Sequence, residues 1–370
     1  MKNVKNAAEH FVSLEEVSSI VQLGSGNVHD TFLVTCRSGY KLILQRMNRD
    51  VFPDISRVME NLFFLSEYYS QIPAPHLTGE EPCWQFPSVV LTKNGQSFLD
   101  LQDGCWRALR YIDDTRILEK IDNLQVAQEV GHVLAGFHKM GQGVEASRLH
   151  DTLPGFHVTP LYLHHYETVI NAGVDTSLQG AGFAFCRDFI EKRKSIVTVL
   201  EEAKELGKLA VQVIHGDPKL ENILFDAGSD KAVALIDLDT VKPGLILYDL
   251  GDCLRSCCNR SGGEECDDPG CVSFDLSICR AVLEGYLAEG AGILSLFDYE
   301  YLYEAIRLIP FELGMRFFTD YLEGNVYFKV GNEEQNLKRA LVQFHLVASI
   351  EEQEGDLREL VEELSSWGAR

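Results

Sequence analysis

The chain has 370 residues and is strongly acidic, with 33 Lys and Arg against 56 Asp and Glu and a formal net charge of −23. Nucleic-acid binding depends on cationic side chains that neutralise phosphates, so this charge argues against DNA or RNA as a partner, and equally against an anionic membrane surface. A hydrophobic content of 45% with 24% charged residues is typical of a globular protein with a sizeable core.

The N-terminal segment does not have the pattern of a secretory signal. Glu9, His10, Glu15 and Glu16 occupy the stretch where an apolar run would lie. No stretch of the sequence approaches the roughly 18 consecutive apolar residues of a membrane helix. We therefore expect a cytoplasmic protein whose ten cysteines are free thiols.

The first third of the chain is predicted to be rich in strands. A capping-box pattern, Ser13-x-x-Glu16, predicts a short helix before Ile20. Residues 20–48 alternate around a glycine turn at 24–26 and a second turn at 38–39, which predicts three strands of an antiparallel meander. Residues 54–70 have helical spacing, and 86–92 and 106–112 read as strands.

Helices dominate from Thr115 onward, and we expect an α+β protein with a boundary near residues 112–115. Helices are predicted over 123–140 and 184–206, and from 274 to the end, where Pro310 is expected to start or kink a helix. Three short strands are predicted within 209–217, 223–226 and 231–239, each flanked by turn residues.

The most informative motif is His215-x-Asp217-x-Lys219-x-x-Asn222, followed by Asp237 at the end of an apolar strand. Protein kinases place an Asn five residues after the aspartate of their catalytic loop and a second aspartate further on. Phosphoryl transfer needs a carboxylate to deprotonate the attacking hydroxyl, which Asp217 would supply. It also needs hard oxygen ligands for Mg²⁺, which Asn222 and Asp237 would supply. The alternative is that both segments are turns between core strands.

The segment HGDPKLENILFD…VALIDLDTVKPGLILYDLGDCLR resembles the aminoglycoside/choline phosphotransferase family, over about residues 23–350. Within it, GSGNVHDTFLV and RFFTDYLEGNVYFK are most similar to the N-acetylhexosamine 1-kinases. The resemblance implies a two-lobed protein-kinase-like fold. Residues 1–113 would form a small β-rich nucleotide-binding lobe, and residues 114–370 a larger, mainly helical catalytic and acceptor-binding lobe.

The resemblance also implies roles for individual residues. Asp217 would be the catalytic base, with Asn222 and Asp237 as Mg²⁺ ligands, and Asp249 would order the loop that carries Asp217. Asp239 is left without a role. A second set would contact the small molecules: Gly24, Ser25 and Gly26 over the ATP phosphates, and Arg316 and Tyr327 at the acceptor, with a structural ion pair as the alternative for Arg316. His29, close to the glycine turn, would also reach the sugar or would belong only to the hairpin.

The sequence departs from the kinase pattern where a strand lysine would contact the phosphates. Gln45 occupies that position and Arg46 follows it. Neighbouring side chains on a strand point to opposite faces, so only one of the two can face the nucleotide. Glu60, on the following helix, is the candidate acid that would accompany such a cation, or a solvated helix charge.

Six cysteines lie between Cys253 and Cys279, and their spacing comes near that of zinc sites. The resembling family uses this region as an acceptor-side loop without metal. We therefore expect an ordinary loop here, with structural zinc as the lesser alternative. We also expect Cys253 and Cys257 to lie on a helix that starts near Asp252.

Together the motif and the resemblance predict an ATP- and Mg²⁺-dependent kinase of a small neutral sugar. The resemblance alone implies that this sugar is GlcNAc or GalNAc and that the phosphate goes to its anomeric C-1 hydroxyl. One alternative is a kinase of another small alcohol, of the aminoglycoside, choline or amino-alcohol type. The acids Glu264, Glu265, Asp267 and Asp268 could then bind a cationic acceptor. The other alternative is a nucleotide-binding pseudokinase, suggested by the missing strand lysine. The oligomeric state is not determined by the sequence.

Overall fold

The computed structural model describes residues 2–24, 28–71, 84–173, 180–266, 268–290 and 292–368. An antiparallel sheet forms the N-terminal part, and a larger, mainly helical part follows it. None of the helices in these ranges combines the length and apolar character needed to cross a membrane.

The N-terminal sheet has the strand order β1-β2-β3-β6-β4, with β5 paired to the end of β6. The predicted meander is confirmed, because β1, β2 and β3 pair in succession. The elements of this part are α1 (Lys2–Glu9), β1 (Val17–Gln22), β2 (Asp30–Cys36), β3 (Lys41–Met47), α2 (Ile55–Ser70), β4 (Val89–Val90), β5 (Leu99–Leu101) and β6 (Gly104–Arg110).

The two faces of this sheet pack against different helices. On one face, Leu42, Leu44 and Trp106 are buried against α1. On the other face, Met47 joins the large core that contains α2 and extends into the C-terminal part. Side chains alternate between the two faces along β3. Gln45 therefore lies with Met47 on the face towards the large core, here called the inner face, and Arg46 lies on the face covered by α1, here called the outer face.

The C-terminal part surrounds two small sheets with helices. The strands pair in the orders β10-β9-β7 and β11-β8. The elements are β7 (Thr115–Arg116), α3 (Leu124–Gly141), α4 (Thr159–Ala172), α5 (Ala181–Arg193), α6 (Val199–Glu205), β8 (Val211–Ile214), β9 (Ile223–Asp226), β10 (Ala232–Leu235), β11 (Lys242–Leu245), α7 (Ile246–Cys257), α8 (Leu276–Glu289), α9 (Leu296–Leu322), α10 (Gln335–Glu352) and α11 (Glu354–Gly368).

Two expectations about helices were wrong, and for Pro310 the expected helix start was wrong. Residues 13–16 form a turn rather than a helix start, and the helix lies earlier, at α1, because Val17 already pairs with Cys36 in the sheet. The single helix expected over 184–206 is divided into α5 and α6 by a 3₁₀ turn at Lys194–Ile196. Pro310 lies inside the 27-residue helix α9, which starts at a Ser295–Asp298 capping box.

Candidate active site

The loop of residues 215–222, here called the HGD loop, follows β8 and lies beside the segment that follows β10. The His215 ring joins the two. Its Nε2–H donates to the Ile236 carbonyl at 3.0 Å, and its Nδ1 accepts from the Asp217 backbone N–H at 3.2 Å. Burial lowers the pKa of His215, which keeps the ring neutral, as this pair of bonds requires.

Asp249, on α7, holds the backbone of the HGD loop. Its carboxylate accepts from the backbone N–H groups of His215 at 2.6 Å and Gly216 at 2.8 Å, and from His138 Nε2 at 2.8 Å. Burial opposes ionisation, but these donors, led by His138, hold the pKa of Asp249 below its usual range. Gly216 has a φ of +87°, and a Cβ there would lie 2.7 Å from the Thr240 carbonyl oxygen, so only glycine fits.

Asp217 presents its carboxylate at the centre of the HGD loop. The Asp217 Oδ2 atom pairs with Lys219 Nζ at 3.0 Å and accepts from Asn222 Nδ2 at 3.1 Å. Burial opposes the charge of Lys219, but Asp217, with further acids, outweighs it and raises the pKa of Lys219. Lys219 was part of the sequence motif without an assigned role, and the structure places its ammonium beside the candidate base.

Asp237 follows β10 in a left-handed conformation, with a φ of 64° and a ψ of 61°. This conformation is uncommon outside glycine, although aspartate and asparagine adopt it more often than other residues do. Asp237 is exposed, but the surrounding protein desolvates its carboxylate; this desolvation, and then the carboxylates of Asp239 and Asp217, raise the pKa of Asp237. Within the described ranges, no hydrogen bond or ion pair engages its carboxylate.

The site fits a divalent cation. The Asn222 amide nitrogen donates to Asp217, which leaves the amide oxygen as a ligand, and Asp237 offers a carboxylate among other acids that a cation would neutralise. Mg²⁺ takes few protein ligands and fills its remaining positions with water and phosphate oxygens. An amide and a carboxylate therefore suffice.

The glycine turn is described only in part. Gly24 has a φ of 57°, which favours glycine, whereas Ser25 and Gly26 lie outside the described residues.

Gln45 and Arg46 point to opposite faces of the sheet. Gln45 donates to Thr31 Oγ1 at 3.2 Å and accepts from Arg107 Nε at 2.9 Å. Arg46 pairs with Asp30 on the outer face. Glu60 does not accompany a cation on β3, because it binds His150 at 2.9 Å on the surface. The cation beside Gln45 on the inner face is Arg107, which the sequence interpretation missed although it lies in a strand that was predicted.

His29 is buried, and both of its ring nitrogens have protein partners. Its Nε2 lies 2.7 Å from Asp239 Oδ2, and its Nδ1 accepts from the Asn48 backbone N–H at 3.1 Å. Neither nitrogen is left for a sugar hydroxyl in this arrangement, so the structure places His29 with Asp239 rather than with the expected acceptor residues.

Arg316 and Tyr327 come together at a cavity of about 190 Å³ between α4, α9 and the loop that follows α9. The Arg316 guanidinium carbon lies 4.9–5.9 Å from the ring centres of Phe156, Tyr162, Tyr327 and Phe328. We call this cavity and its rings the aromatic pocket. Within the described part of the chain, no carboxylate lies within 4.0 Å of this guanidinium.

The charge of Arg316 is maintained by its surroundings. Burial opposes it, but Tyr162 and Tyr327, and then the carboxylates of Glu312 and Asp217, raise the pKa of Arg316. Phe156 of the aromatic pocket precedes His157, whose Nε2 donates to the Gly216 carbonyl at 2.7 Å, so the aromatic pocket lies next to the HGD loop.

Asp320 shapes one wall of the aromatic pocket, and the sequence interpretation missed it. Its buried carboxylate accepts from the backbone N–H groups of Val326, Tyr327 and Phe328 at 2.7–2.9 Å, and from Asn336 Nδ2 at 2.8 Å. The available signal was an aspartate close to Arg316 in the mostly apolar C-terminal half of α9.

The acidic segment before α8 mostly binds other parts of the protein. Glu265 pairs with Arg339 at 2.6 Å, and Asp268 accepts from the backbone of its own turn. Glu264 lies 3.7 Å from Arg255, and Asp267 is outside the described residues.

Four of the six cysteines of this region are buried close to one another. Cys253 and Cys257 lie on α7, which starts at Ile246 rather than near Asp252 as expected. Together with Cys258 and Cys279 they are buried, whereas Cys271 is exposed. Across the described ranges, no group of three or more His, Cys, Asp and Glu side chains is arranged to hold a metal ion.

Comparison with known protein families matches residues 19–286 to APH, the phosphotransferase enzyme family. The fold is similar to that of an aminoglycoside phosphotransferase from Alicyclobacillus acidocaldarius, with 15% identity, a TM-score of 0.64 and coverage of 97% of this chain and 96% of that one. It is also similar to choline kinase from Cryptosporidium parvum, with 12% identity, a TM-score of 0.62 and coverage of 100% and 99%.

A third similar structure is an amicoumacin kinase in complex with AMP-PNP and Ca²⁺, with 15% identity, a TM-score of 0.58 and coverage of 95% and 93%. These likenesses confirm the predicted kinase-like fold, with its β-rich N-terminal part and larger helical part. Because the sequence match extends over more than half of the chain, the protein belongs to the APH phosphotransferase enzyme family.

Proposed function

We propose that this phosphotransferase is a sugar kinase, dependent on ATP and Mg²⁺, that phosphorylates the anomeric C-1 hydroxyl of GlcNAc or GalNAc. The observation that carries the proposal is the position of Arg316 in the aromatic pocket. A permanent cation at the acceptor side disfavours cationic amines, because like charges repel. Arginine N–H groups and aromatic rings suit a neutral sugar, whose hydroxyls accept hydrogen bonds and whose C–H faces are apolar.

The size of the aromatic pocket supports a small acceptor. Its volume of about 190 Å³ lies below the ~300–1,000 Å³ that is usual for drug-sized ligands. A single sugar ring therefore suits the cavity better than an aminoglycoside of several rings. The choice of the C-1 hydroxyl rests on the resemblance of the 316–329 segment to the N-acetylhexosamine 1-kinases.

In this proposal Asp217 accepts the proton of the acceptor hydroxyl as the new oxygen–phosphorus bond forms and the bond to ADP breaks. The positive charge of Lys219 compensates the negative charge of the Asp217 carboxylate. Asn222 and Asp237 would hold Mg²⁺, which would supply positive charge for the triphosphate. Catalysis is then mainly positioning and electrostatic stabilisation, without a phosphoenzyme.

The N-terminal part, residues 1–113, would bind the nucleotide, and residues 114–370 would carry the base and the acceptor pocket. The glycine turn of Gly24, Ser25 and Gly26 would cover the phosphates, with Gln45 facing the cleft. Arg46 takes no part in the nucleotide site of this proposal, because it pairs with Asp30 on the outer face. His29 takes no part in the acceptor site, because both of its ring nitrogens are occupied.

A second candidate is a kinase of an amino alcohol or aminoglycoside. It is favoured by Glu264, whose negative charge contributes to raising the pKa of Lys219 in the HGD loop. The remaining described acids of that segment already have protein partners. The cationic acceptor is therefore the weaker candidate.

Product analysis tests the proposal. The protein is incubated with ATP and Mg²⁺ and with GlcNAc, GalNAc, glucose, choline or kanamycin in turn, and phosphorus and proton NMR identify the product. Phosphate on C-1 of the acetamido sugars is expected. Phosphate on another carbon overturns the C-1 assignment, and phosphorylation of only the cationic acceptors supports the second candidate. ATP binding without transfer to any acceptor supports the pseudokinase.

The variant Arg316→Ala tests the acceptor site itself. We expect the KM for the sugar to rise at least tenfold while the KM for ATP changes less than threefold, because Arg316 lines only the acceptor pocket; a tenfold change corresponds to about 1.4 kcal/mol. Arg307→Ala is the matched control, since Arg307 lies on the same helix but pairs with Glu304. Equal changes in both KM values, or no change, would contradict the acceptor assignment.

A further inference from the structure

A buried carboxylate connects the N-terminal sheet to the segment that carries Asp237. Asp239 is 2% exposed and lies in the C-terminal part. The two terminal nitrogens of Arg107, on β6, donate to its two oxygens at 2.5 and 2.9 Å. His29 Nε2 donates to the same carboxylate at 2.7 Å, since its Nδ1 is already an acceptor. One residue of the sheet, Arg107, and one residue just before β2, His29, thus converge on one acid of the C-terminal part.

Arg107 also connects this carboxylate to the position where a strand lysine is missing. Gln45 and Arg107 are direct partners in the pairing of β3 with β6, and Arg107 Nε donates to Gln45 Oε1 at 2.9 Å. Arg107 is 1% exposed, so it does not reach a nucleotide in this arrangement. Its three donating nitrogens are directed to Gln45 and Asp239.

The hydrogen bonds of Arg107 fix its position relative to Asp239. An Arg–carboxylate pair with two parallel hydrogen bonds fixes the relative orientation of both groups, which a lysine could not do. A buried ion pair is by itself weak evidence for stability, because a well-packed apolar pair can be equally stable. Asp239 accepts three directed hydrogen bonds from Arg107 and His29, and it lies two residues from Asp237, which has the left-handed conformation. These contacts indicate that the network fixes the position of the Asp237 segment.

We propose that Arg107 is a positioning residue for phosphoryl transfer. Through Asp239 it holds the Asp237 segment in register with the nucleotide-facing side of the N-terminal sheet, and it does so from β6 in place of a lysine on β3. The proposal concerns the metal–nucleotide side of the site and is independent of which acceptor is used.

The test measures nucleotide binding separately from turnover. Calorimetry gives the Kd of the intact protein for an ATP analogue with Mg²⁺ and, in a second titration, with EDTA. For Arg107→Met we expect the affinity for the metal–nucleotide to fall at least tenfold. The affinity for the metal-free nucleotide and the KM of the acceptor are expected to change less than threefold, because the adenosine and acceptor contacts remain.

Two further variants show whether the result is specific to the Arg107–Asp239 pair. Arg107→Lys retains the charge but not the two-pronged geometry, so it should recover only part of the loss. Arg110→Met is the matched control on the same strand, because Arg110 is exposed, and it should bind both forms of the nucleotide as the wild type does. Unchanged metal–nucleotide binding by folded Arg107→Met would overturn the proposal, as would an equal loss for both nucleotide forms.

If Arg107→Met does not fold, His29 provides the second route to the same carboxylate. His29→Leu removes one of its donors and should weaken metal–nucleotide binding in the same selective way, to a smaller extent. His29→Gln, whose amide nitrogen can reach Asp239, should restore it. If His29→Leu leaves metal–nucleotide binding unchanged, the Asp239 contacts are structural only and the proposal fails.

Discussion

The HGD loop and the inner face of the N-terminal sheet present their charged groups in different ways. In the loop, Asp217, Lys219 and Asn222 are neighbours in sequence and remain neighbours in space. On the sheet, the position that the kinase pattern assigns to a lysine holds Gln45, and the cation lies on another strand, 62 residues away. A sequence motif can therefore be recognised where one short segment supplies all of its residues. It cannot be recognised where a residue on a neighbouring strand supplies the charge of a missing one.

The largest effect is expected from breaking the loop. Asp217→Asn should lower kcat by about 10²–10⁴, the usual range for a positioned base, because the amide cannot accept the proton. Affinity for the nucleotide should change little, since Asn222 and Asp237 remain. Steady-state kinetics and calorimetry measure the two quantities. Asp230→Asn, which removes a surface carboxylate paired with Arg116, is the control, and retained turnover in Asp217→Asn would contradict the assignment of the base.

A smaller effect is expected from restoring the missing lysine. Gln45→Lys would place a second cation beside the Arg107 guanidinium, and we expect it to lower the free energy of unfolding by about 1–3 kcal/mol without tightening ATP binding. Urea denaturation and calorimetry are the measurements. Ser19→Lys adds the same charge at an exposed position of the sheet and should be near neutral. Tighter ATP binding and faster turnover in Gln45→Lys would show that β3 contacts the phosphates directly.

The smallest effect concerns a histidine beneath the HGD loop. His157 donates from Nε2 to the Gly216 carbonyl at 2.7 Å and from Nδ1 to Glu312 at 3.1 Å, so both nitrogens carry protons. Burial opposes this charge, but Glu312, followed by Asp252 and the Gly216 carbonyl, raises the pKa of His157. The resulting stabilisation is complete below the usual histidine pKa of about 6.5 and disappears as the pH rises through the raised value.

We therefore expect the wild type to exceed His157→Gln in stability by more at pH 6 than at pH 9. The difference corresponds to about 1.4 kcal/mol for each unit by which folding raises the pKa. Urea denaturation at both pH values measures it, and the exposed His164→Gln should show no such pH dependence. A difference between wild type and His157→Gln that is the same at both pH values would contradict the doubly protonated ring.

Much of the fold could be predicted from the sequence. The meander of β1–β3 and the helices α2 and α3 follow from local periodicity and turn residues, which the structure preserves. The Ser13–Glu16 pattern failed because pairing of Val17 with Cys36 in the sheet takes precedence over a capping signal. The helix expected over 184–206 failed because apolar spacing does not show where the hydrogen-bonding pattern changes, here at Lys194–Ile196.

The sequence by itself determined the HGD loop, the acid after β10 and the division into a β-rich and a helical part, because each depends on residues close together along the chain. Only the tertiary structure decided that Arg107 occupies the inner face of the sheet and that His29 binds Asp239. It also decided that Asp320 holds the wall of the aromatic pocket. These partners lie on different elements, and the packing of those elements brings their side chains within hydrogen-bonding distance.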